Sequence, residues 1–225
     1  MKKIMFVAGL AAMAFGVTAF VTPKVSTDNS FEGVVTYSMT VDNPQMASMM
    51  QGSSIKVYIK GDQTKTYSDM GMSKTTVITN KKTPGDPVIL VEVMGNKYQL
   101  KNDKKKDEKT PEIKYTDETK TVAGYACKKA EVTVTGMDGQ TYVSNVYYTT
   151  DLPPYAGGYG QFKGLNGFPL EYNMTQRGMN LSLSATKVEK QSVSDDTFKV
   201  PSGYKLMTQE EMQADIQKNM GGGGN

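Results

Sequence analysis

The 225-residue sequence has no histidine, one cysteine (Cys127) and one arginine (Arg177). Without histidine, the Ser-His-Asp and Cys-His nucleophilic mechanisms are excluded. One cysteine and no histidine cannot assemble the usual zinc sites, and a lone thiol forms no internal disulfide. An enzyme would have to work with carboxylates, lysine or tyrosine, lacking the commonest general acid–base. Charge of one sign is also missing: the formal net charge is only +3. Removal of residues 1–19 would take two lysines and no acids, leaving 24 basic against 23 acidic residues and a net charge of about +1. No strongly basic face for nucleic acid is expected.

What is present starts with MKKIMFVAGLAAMAFGVTA. Two lysines precede an apolar run, and Val17-Thr18-Ala19 offers small residues for cleavage. This is the layout of a secretory signal peptide over 1–19. The alternative is an uncleaved anchor, because Ile4 to Val21 carries no charge over 18 residues, near the lower limit for a membrane span. No cysteine follows the run, so lipidation is not expected. The chain is expected to be periplasmic or secreted. Residues 20–30 read as a linker, 31–207 as the folded domain, 208–220 as a C-terminal helix and 221–225 as a disordered Gly tail.

Period-2 alternation dominates the domain. It predicts strands at 31–41, on either side of Lys60-Gly61-Asp62, at 73–80, on either side of Gly95-Asn96, at 113–136 and 140–149, and in a last hairpin around Arg177-Gly178. That is roughly ten strands, joined by turns short enough to make the sheet antiparallel. With few helices, such a sheet must cover its own apolar face by curling. The expected fold is mainly β (α+β): a curved antiparallel sheet forming a half-open β-barrel with short capping helices.

Two helices are predicted. In 42-DNPQMASMMQG-52, Asp42 or Asn43 caps, Pro44 sits just inside and Gly52 just past the end. Met46, Met49 and Met50 then share one face. Near the C-terminus, Thr208 and Glu211 form a capping box, with Met212 and Ile216 on a narrow apolar stripe. The methionine face can pack as core, cover an apolar cavity as a pliable lid, or supply thioether ligands to Cu(I), with Met70 and Met72 as additional sulfurs.

Other features carry little chemistry. The glycines of 151–170 match neither a P-loop nor a dinucleotide fingerprint. Lys104-Lys105-Lys106 is offset by neighbouring acids and reads as a solvated loop. The pairs Asp107-Glu108, Asp117-Glu118, Asp195-Asp196 and Glu210-Glu211 are adjacent in sequence. Neighbours on a strand point to opposite faces, so neither is the other's catalytic partner. Glu210-Glu211 suits a helix N-terminus. Alternation traced back from Ala130, Val132 and Val134 puts Cys127 on the wetter face, unless a bulge at Lys128-Lys129 reverses it; it reads as a buried inert thiol, with a thiol activated by the adjacent lysines as the alternative.

The strings 31-FEGVVTYSMTV-41, 56-KVYIKGDQTKT-66, 94-MGNKYQL-100, 124-GYACKKAEVTV-134, 161-QFKGLNGFPLEYNM-174 and 193-VSDDTFKVPSGYK-205 resemble a family of secreted or periplasmic domains of unknown function. That family is similar in fold to periplasmic lipoprotein carriers of the LolA and LolB type and to mycobacterial lipoglycan carriers. The resemblance implies an unclosed β-barrel, LolA-like, with helices over its mouth and an interior that in the carriers takes acyl chains. No motif here matches the arginine and aromatic residues by which carriers hold cargo.

The resulting expectation is an exported, non-enzymatic, carrier-like binding protein for a lipid or other hydrophobic ligand. Ile55, Val57, Phe168, Leu170, Tyr172 and Leu183 would line the cavity. Met46, Met49 and Met50, the 155–167 loop with Phe162 and Leu165, and the Met212–Ile216 helix would guard its mouth. No cofactor or metal is expected, an envelope protein is a possible partner, and the chain is expected to be a monomer. Alternatives are a structural or protein-interaction envelope domain with a filled barrel, and a methionine-based copper-binding protein.

Overall fold

The computed structural model describes residues 31–83, 85–102, 110–136, 139–155, 160–176 and 179–221. The expected signal peptide and linker, the Lys104–Lys106 run, the Arg177-Gly178 turn and the tail from 222 lie outside the described residues.

In chain order the elements are β1 (Glu32–Val41), α1 (Pro44–Met49), β2 (Ser54–Lys60), β3 (Gln63–Asp69), β4 (Ser73–Asn80), β5 (Val88–Val93), β6 (Asn96–Leu100), β7 (Glu112–Val122), β8 (Tyr125–Thr135) and β9 (Thr141–Thr149). They are followed by β10 (Phe168–Gln176), β11 (Met179–Lys190), β12 (Lys205–Met207) and α2 (Gln209–Gly221), with 3-10 turns at Gly160–Phe162 and Asp195–Phe198. All strands join one sheet in the order β12-β6-β5-β4-β3-β2-β1-β11-β10-β9-β8-β7. Only β12 is parallel to its neighbour.

Two strands were not expected. The stretch 113–136 is not one strand but two, folded back at Ala123-Gly124, where φ is 49° and 84°. Positive φ at both central residues is the geometry of a type I′ hairpin, whose twist matches that of the strands. The same geometry puts the β5–β6 turn at Met94-Gly95, φ 51° and 79°, one residue before the expected Gly95-Asn96. The glycine occupies the second central position in both turns. The other unexpected strand is β12, where Lys205, Leu206 and Met207 pair with Tyr98, Gln99 and Leu100 before the helix starts.

The sheet folds over one apolar face. Val35 sits opposite Val57 and Val188, Tyr37 opposite Ile55 and Ala185, and Met39 opposite Leu183. These positions form the main core cluster with Ile59, Leu170 and Leu181, all buried but Met39 and Val188. A second cluster follows along β8 and β9 through Ala130, Val132, Val146 and Tyr148. The curvature is measured by one contact: the hydroxyls of Thr66 on β3 and Tyr155 after β9 lie 2.9 Å apart, although β2, β1, β11 and β10 separate the two strands. A satellite cluster of Val34, Ile78, Val193 and Phe198 packs elsewhere, under the 3-10 turn at Asp195–Phe198.

The helices contribute less than expected. In α1 the Asn43 Oδ1 accepts hydrogen bonds from the backbone N–H of Gln45 (2.9 Å) and Met46 (3.3 Å), and Pro44 opens the helix. The helix lasts only six residues. In α2 the Thr208 N–H donates to Glu211 Oε2 at 2.8 Å and the Glu211 N–H to Thr208 Oγ1 at 3.1 Å, the reciprocal bonds of a capping box. This helix lies beside the β12–β6 edge, where the Tyr98 hydroxyl donates to Asp215 Oδ2 at 2.7 Å and Lys101 pairs with Glu211 at 3.7 Å. Neither helix spans the curved face, and a stripe as thin as Met212 and Ile216 has too little apolar area to do so.

Candidate functional site

Residues 151–155 and 160–167, rather than α1 or α2, occupy the curve of the sheet. Leu152 is buried in the main cluster and Tyr155 packs against it, while Leu165 and Phe162 belong to the second cluster. The aromatic rings interlock edge to face: Tyr37 with Tyr172 (centroids 6.1 Å apart), Tyr172 with Phe162 (4.8 Å), Phe162 with Tyr155 (5.8 Å) and Tyr155 with Phe168 (5.7 Å). Edge-to-face pairs at these distances add to the energy of burial. The Tyr37 hydroxyl donates to the Pro169 carbonyl at 2.6 Å. Burial raises the phenol pKa of Tyr37, Tyr155 and Tyr172 above its ordinary value, which keeps all three neutral.

The expected cavity lining therefore faces protein. Ile55, Val57, Phe168, Leu170 and Leu183 are buried within one cluster, with Tyr172 half-buried against it. Leu165 and Phe162 pack from the loop.

One end of this face is different. Where β1 ends, the last row across β1, β11 and β10 runs Val41–Leu181–Met174 and the row before it Met39–Leu183–Tyr172, by register. In each row the leucine of β11 is buried, and its neighbours on β1 and β10 are only partly buried. Met39, Val41, Met50, Met70 and Met174 are only partly buried and pack on the main cluster from its margin. Met50 is the C-cap of α1 and Met70 follows β3, so connections as well as strands supply this rim. Met46 is half-buried outside the cluster, and the side chain of Met49 lies outside the described residues. Met212 and Ile216 join neither of the two clusters on this face, so the structure does not bring α2 to the mouth.

Alternation alone could place Met39 and Met174 on the apolar face, since they share the phase of Tyr37 and Tyr172. Nothing in the aperiodic loop marked Leu152 or Tyr155 as interior. For a thioether site, Met70 and Met72 diverge: Met70 packs on the core, whereas Met72 is 76% exposed. Among the described residues no cluster of three or more His, Cys, Asp or Glu side chains is placed to hold a metal ion.

Cys127 is the buried thiol expected, on a phase that alternation marks as the wetter one. The β8–β9 register runs unbroken through Lys128 and Lys129, and the irregularity lies in β7 between Tyr115 and Thr119. Cys127 thus keeps the phase opposite to Ala130. It is nevertheless 1% exposed, because Val122, Leu152 and Phe168 belong to the cluster that encloses it. Burial pushes its thiol up to about 11. The folded protein should resist a thiol reagent at pH 8 and react stoichiometrically in denaturant; rapid native labelling would contradict the burial. The unfolded thiol titrates near 9.0, so its contribution to stability is present below pH 9 and is lost as pH rises toward about 11.

The fold is thus one open, curved, mainly antiparallel sheet of 12 strands, with Leu152, Tyr155, Phe162 and Leu165 packed on its apolar face. No protein-family model matches the chain, and no curated protein matches it. Among solved structures it is similar to PNGF-II, with a TM-score of 0.53 and 21% identity over 84% of this chain. The chain spans about a third of that protein's length, 33%. The neighbours also include LprF from Mycobacterium bovis, with a TM-score of 0.35 and 11% identity over 79% of this chain and 91% of that chain. An outer membrane lipoprotein-sorting protein domain from Vibrio parahaemolyticus is similar at a TM-score of 0.39 and 11% identity, over 78% of this chain and 92% of that one. At these identities the likeness concerns the fold and assigns no ligand. No helix among the described residues is long and apolar enough to cross a membrane.

Proposed function

We propose that the protein is an exported, non-enzymatic binding protein that takes an apolar, acyl-chain-like ligand at the methionine-rimmed end of its half-barrel. The observation that carries this reading is that four methionines, Met39, Met50, Met70 and Met174, are only partly buried where they pack, with Val41, against the main cluster. Unbranched, polarizable methionine side chains rearrange at low cost and suit ligands of varied shape. A chain entering between them would reach Leu183 and Tyr172, one row further in. Each methylene it buried would contribute about 0.8 kcal/mol. The ligand enters by displacing rim side chains rather than by filling a preformed hollow.

The test is solvent extraction of the purified chain followed by mass spectrometry, with titration of dodecanoate and a fluorescent apolar probe. Bound lipid or saturable probe binding is expected, and Met50→Asp with Met174→Asp should weaken it at least about tenfold, since a charge in an apolar site is costly. No extracted lipid and no probe binding would sink the proposal.

A second reading is favoured by the closed interior itself. Val35 and Leu170 are 0% exposed, as a self-filled barrel requires. Such a domain would act as a structural or protein-interaction component of the envelope. It predicts no probe binding, with capture of a protein partner instead.

A further inference from the structure

The opposite face of the same strands carries a hollow of about 370 Å³, whose lining mixes hydroxyl, amide and carboxylate side chains with Tyr147, Tyr172 and Leu183. This lies within the size range of small-molecule sites, about 300–1,000 Å³. Alternation sets its hydroxyl residues apart from the apolar face: where Tyr37 and Met39 point inward, Ser38, Thr40, Ser182 and Ser184 point away. Two rows cross it in register. One runs from Ser38 through Ser184 and Glu171 to Tyr147. The other runs from Thr40 through Ser182 to Asn173, whose Oδ1 accepts from the Asn145 N–H at 2.7 Å. Four small hydroxyl side chains at one end leave the space, and the larger Glu171 and Tyr147 bound it.

The charged and aromatic parts of this wall are already fixed. Lys120 Nζ donates to Glu171 Oε1 at 2.6 Å, and the Ser184 hydroxyl donates to Glu171 Oε2 at 3.0 Å. The Lys120 ammonium also lies 5.2 Å from the Tyr147 ring centroid, and the Tyr147 hydroxyl donates to Glu118, which Lys129 holds at 2.9 Å. Groups held this way lose little freedom when a ligand binds. By contrast, the side chains of Thr40, Ser182 and Asn145 are exposed and have no protein partner among the described residues.

The geometry points to a binding site for a neutral polyhydroxylated ligand, a saccharide, in this hollow. An anion would meet the Glu171 carboxylate. A cation would find that carboxylate already neutralised by Lys120. An apolar ligand would desolvate hydroxyls and amides without replacing their hydrogen bonds. A saccharide offers donors and acceptors together, matching hydroxyls and amides that are both, and a C–H face for the Tyr147 ring.

The experiment is an NMR titration of the 15N-labelled purified chain with maltotriose and with N,N′-diacetylchitobiose, glucose 6-phosphate and dodecanoate serving as comparisons. Saturable shifts are expected at residues 38–40, 145–147, 171–173 and 182–184 with one of the neutral saccharides, at a dissociation constant on the order of millimolar. Ser182→Leu fills the hollow from an exposed position and should abolish these shifts while the rest of the spectrum is unchanged. Asn173→Ala should weaken binding about tenfold. No saturable shift at these strands with either saccharide overturns the proposal. So do equal binding by Ser182→Leu and stronger binding of dodecanoate or the sugar phosphate at the same residues. Dodecanoate shifts confined to the methionine rim support the separate apolar site and leave this result independent of it.

Discussion

Replacing Phe168 with alanine is expected to destabilise the protein by about 3–5 kcal/mol, the range for truncating a buried phenylalanine. Phe168 is 1% exposed and belongs to the main cluster. Its ring lies edge to face with Tyr155 at 5.7 Å, and Tyr155 in turn reaches Phe162 and Thr66. Removing the ring would therefore leave a cavity under the loop as well as the loss of buried area. The strand itself should persist, because the backbone of Phe168 still faces Thr149. A urea midpoint measured at unchanged m-value reads the effect. Phe168→Leu keeps most of the volume and should cost much less. Equal midpoints for the alanine and leucine variants would show that the loop does not depend on this ring.

Gly33→Ala should also be strongly destabilising, for a different reason. Gly33 needs no left-handed backbone; it needs space. A Cβ there would stand 2.2 Å from the Glu189 carbonyl oxygen and 2.9 Å from the Phe31 ring. The ring can turn aside, but the carbonyl is backbone on β11, paired with β1 through this region. Relief requires the two central strands to part, so the cost should reach or exceed about 1–3 kcal/mol, the usual range for overpacking. Hydrogen exchange should accelerate first at the β1–β11 pair. Gly85→Ala is the control, because nothing lies within 4 Å of its added Cβ and it has no positive φ. That variant should stay within about 0.5 kcal/mol of wild type. An unperturbed Gly33→Ala protein would refute the close approach of the strands.

The expected hairpins and the observed ones differ for reasons that can be traced to single residues. Gly61 and Gly95 both signal turns, but the β5–β6 turn falls on Met94-Gly95 because its geometry requires positive φ at both positions, including a methionine at 51°. Ala123-Gly124 has the same geometry inside a run whose alternation continues on both sides, which concealed the fold-back. β12 escaped notice because three residues are too few to show a period, and its parallel partner β6 is distant in sequence.

The sequence alone determined what is local. Alternation set the strand faces, Asn43 and Pro44 the start of α1, and the Thr208–Glu211 pair the start of α2. It also determined the chemistry that the absence of histidine removes. Tertiary structure decided what covers each face. A strand's period shows which side chains point together, not whether loop, ligand or water meets them. Here Leu152, Tyr155 and Phe162 fill the curve of the sheet, and Cys127 is buried on the phase that alternation alone marks as wet. The methionines split the same way: Met50 reaches the rim beside Met39 and Met174, while Met212 remains with α2 at the far edge, because the order of strands in the sheet sets those distances.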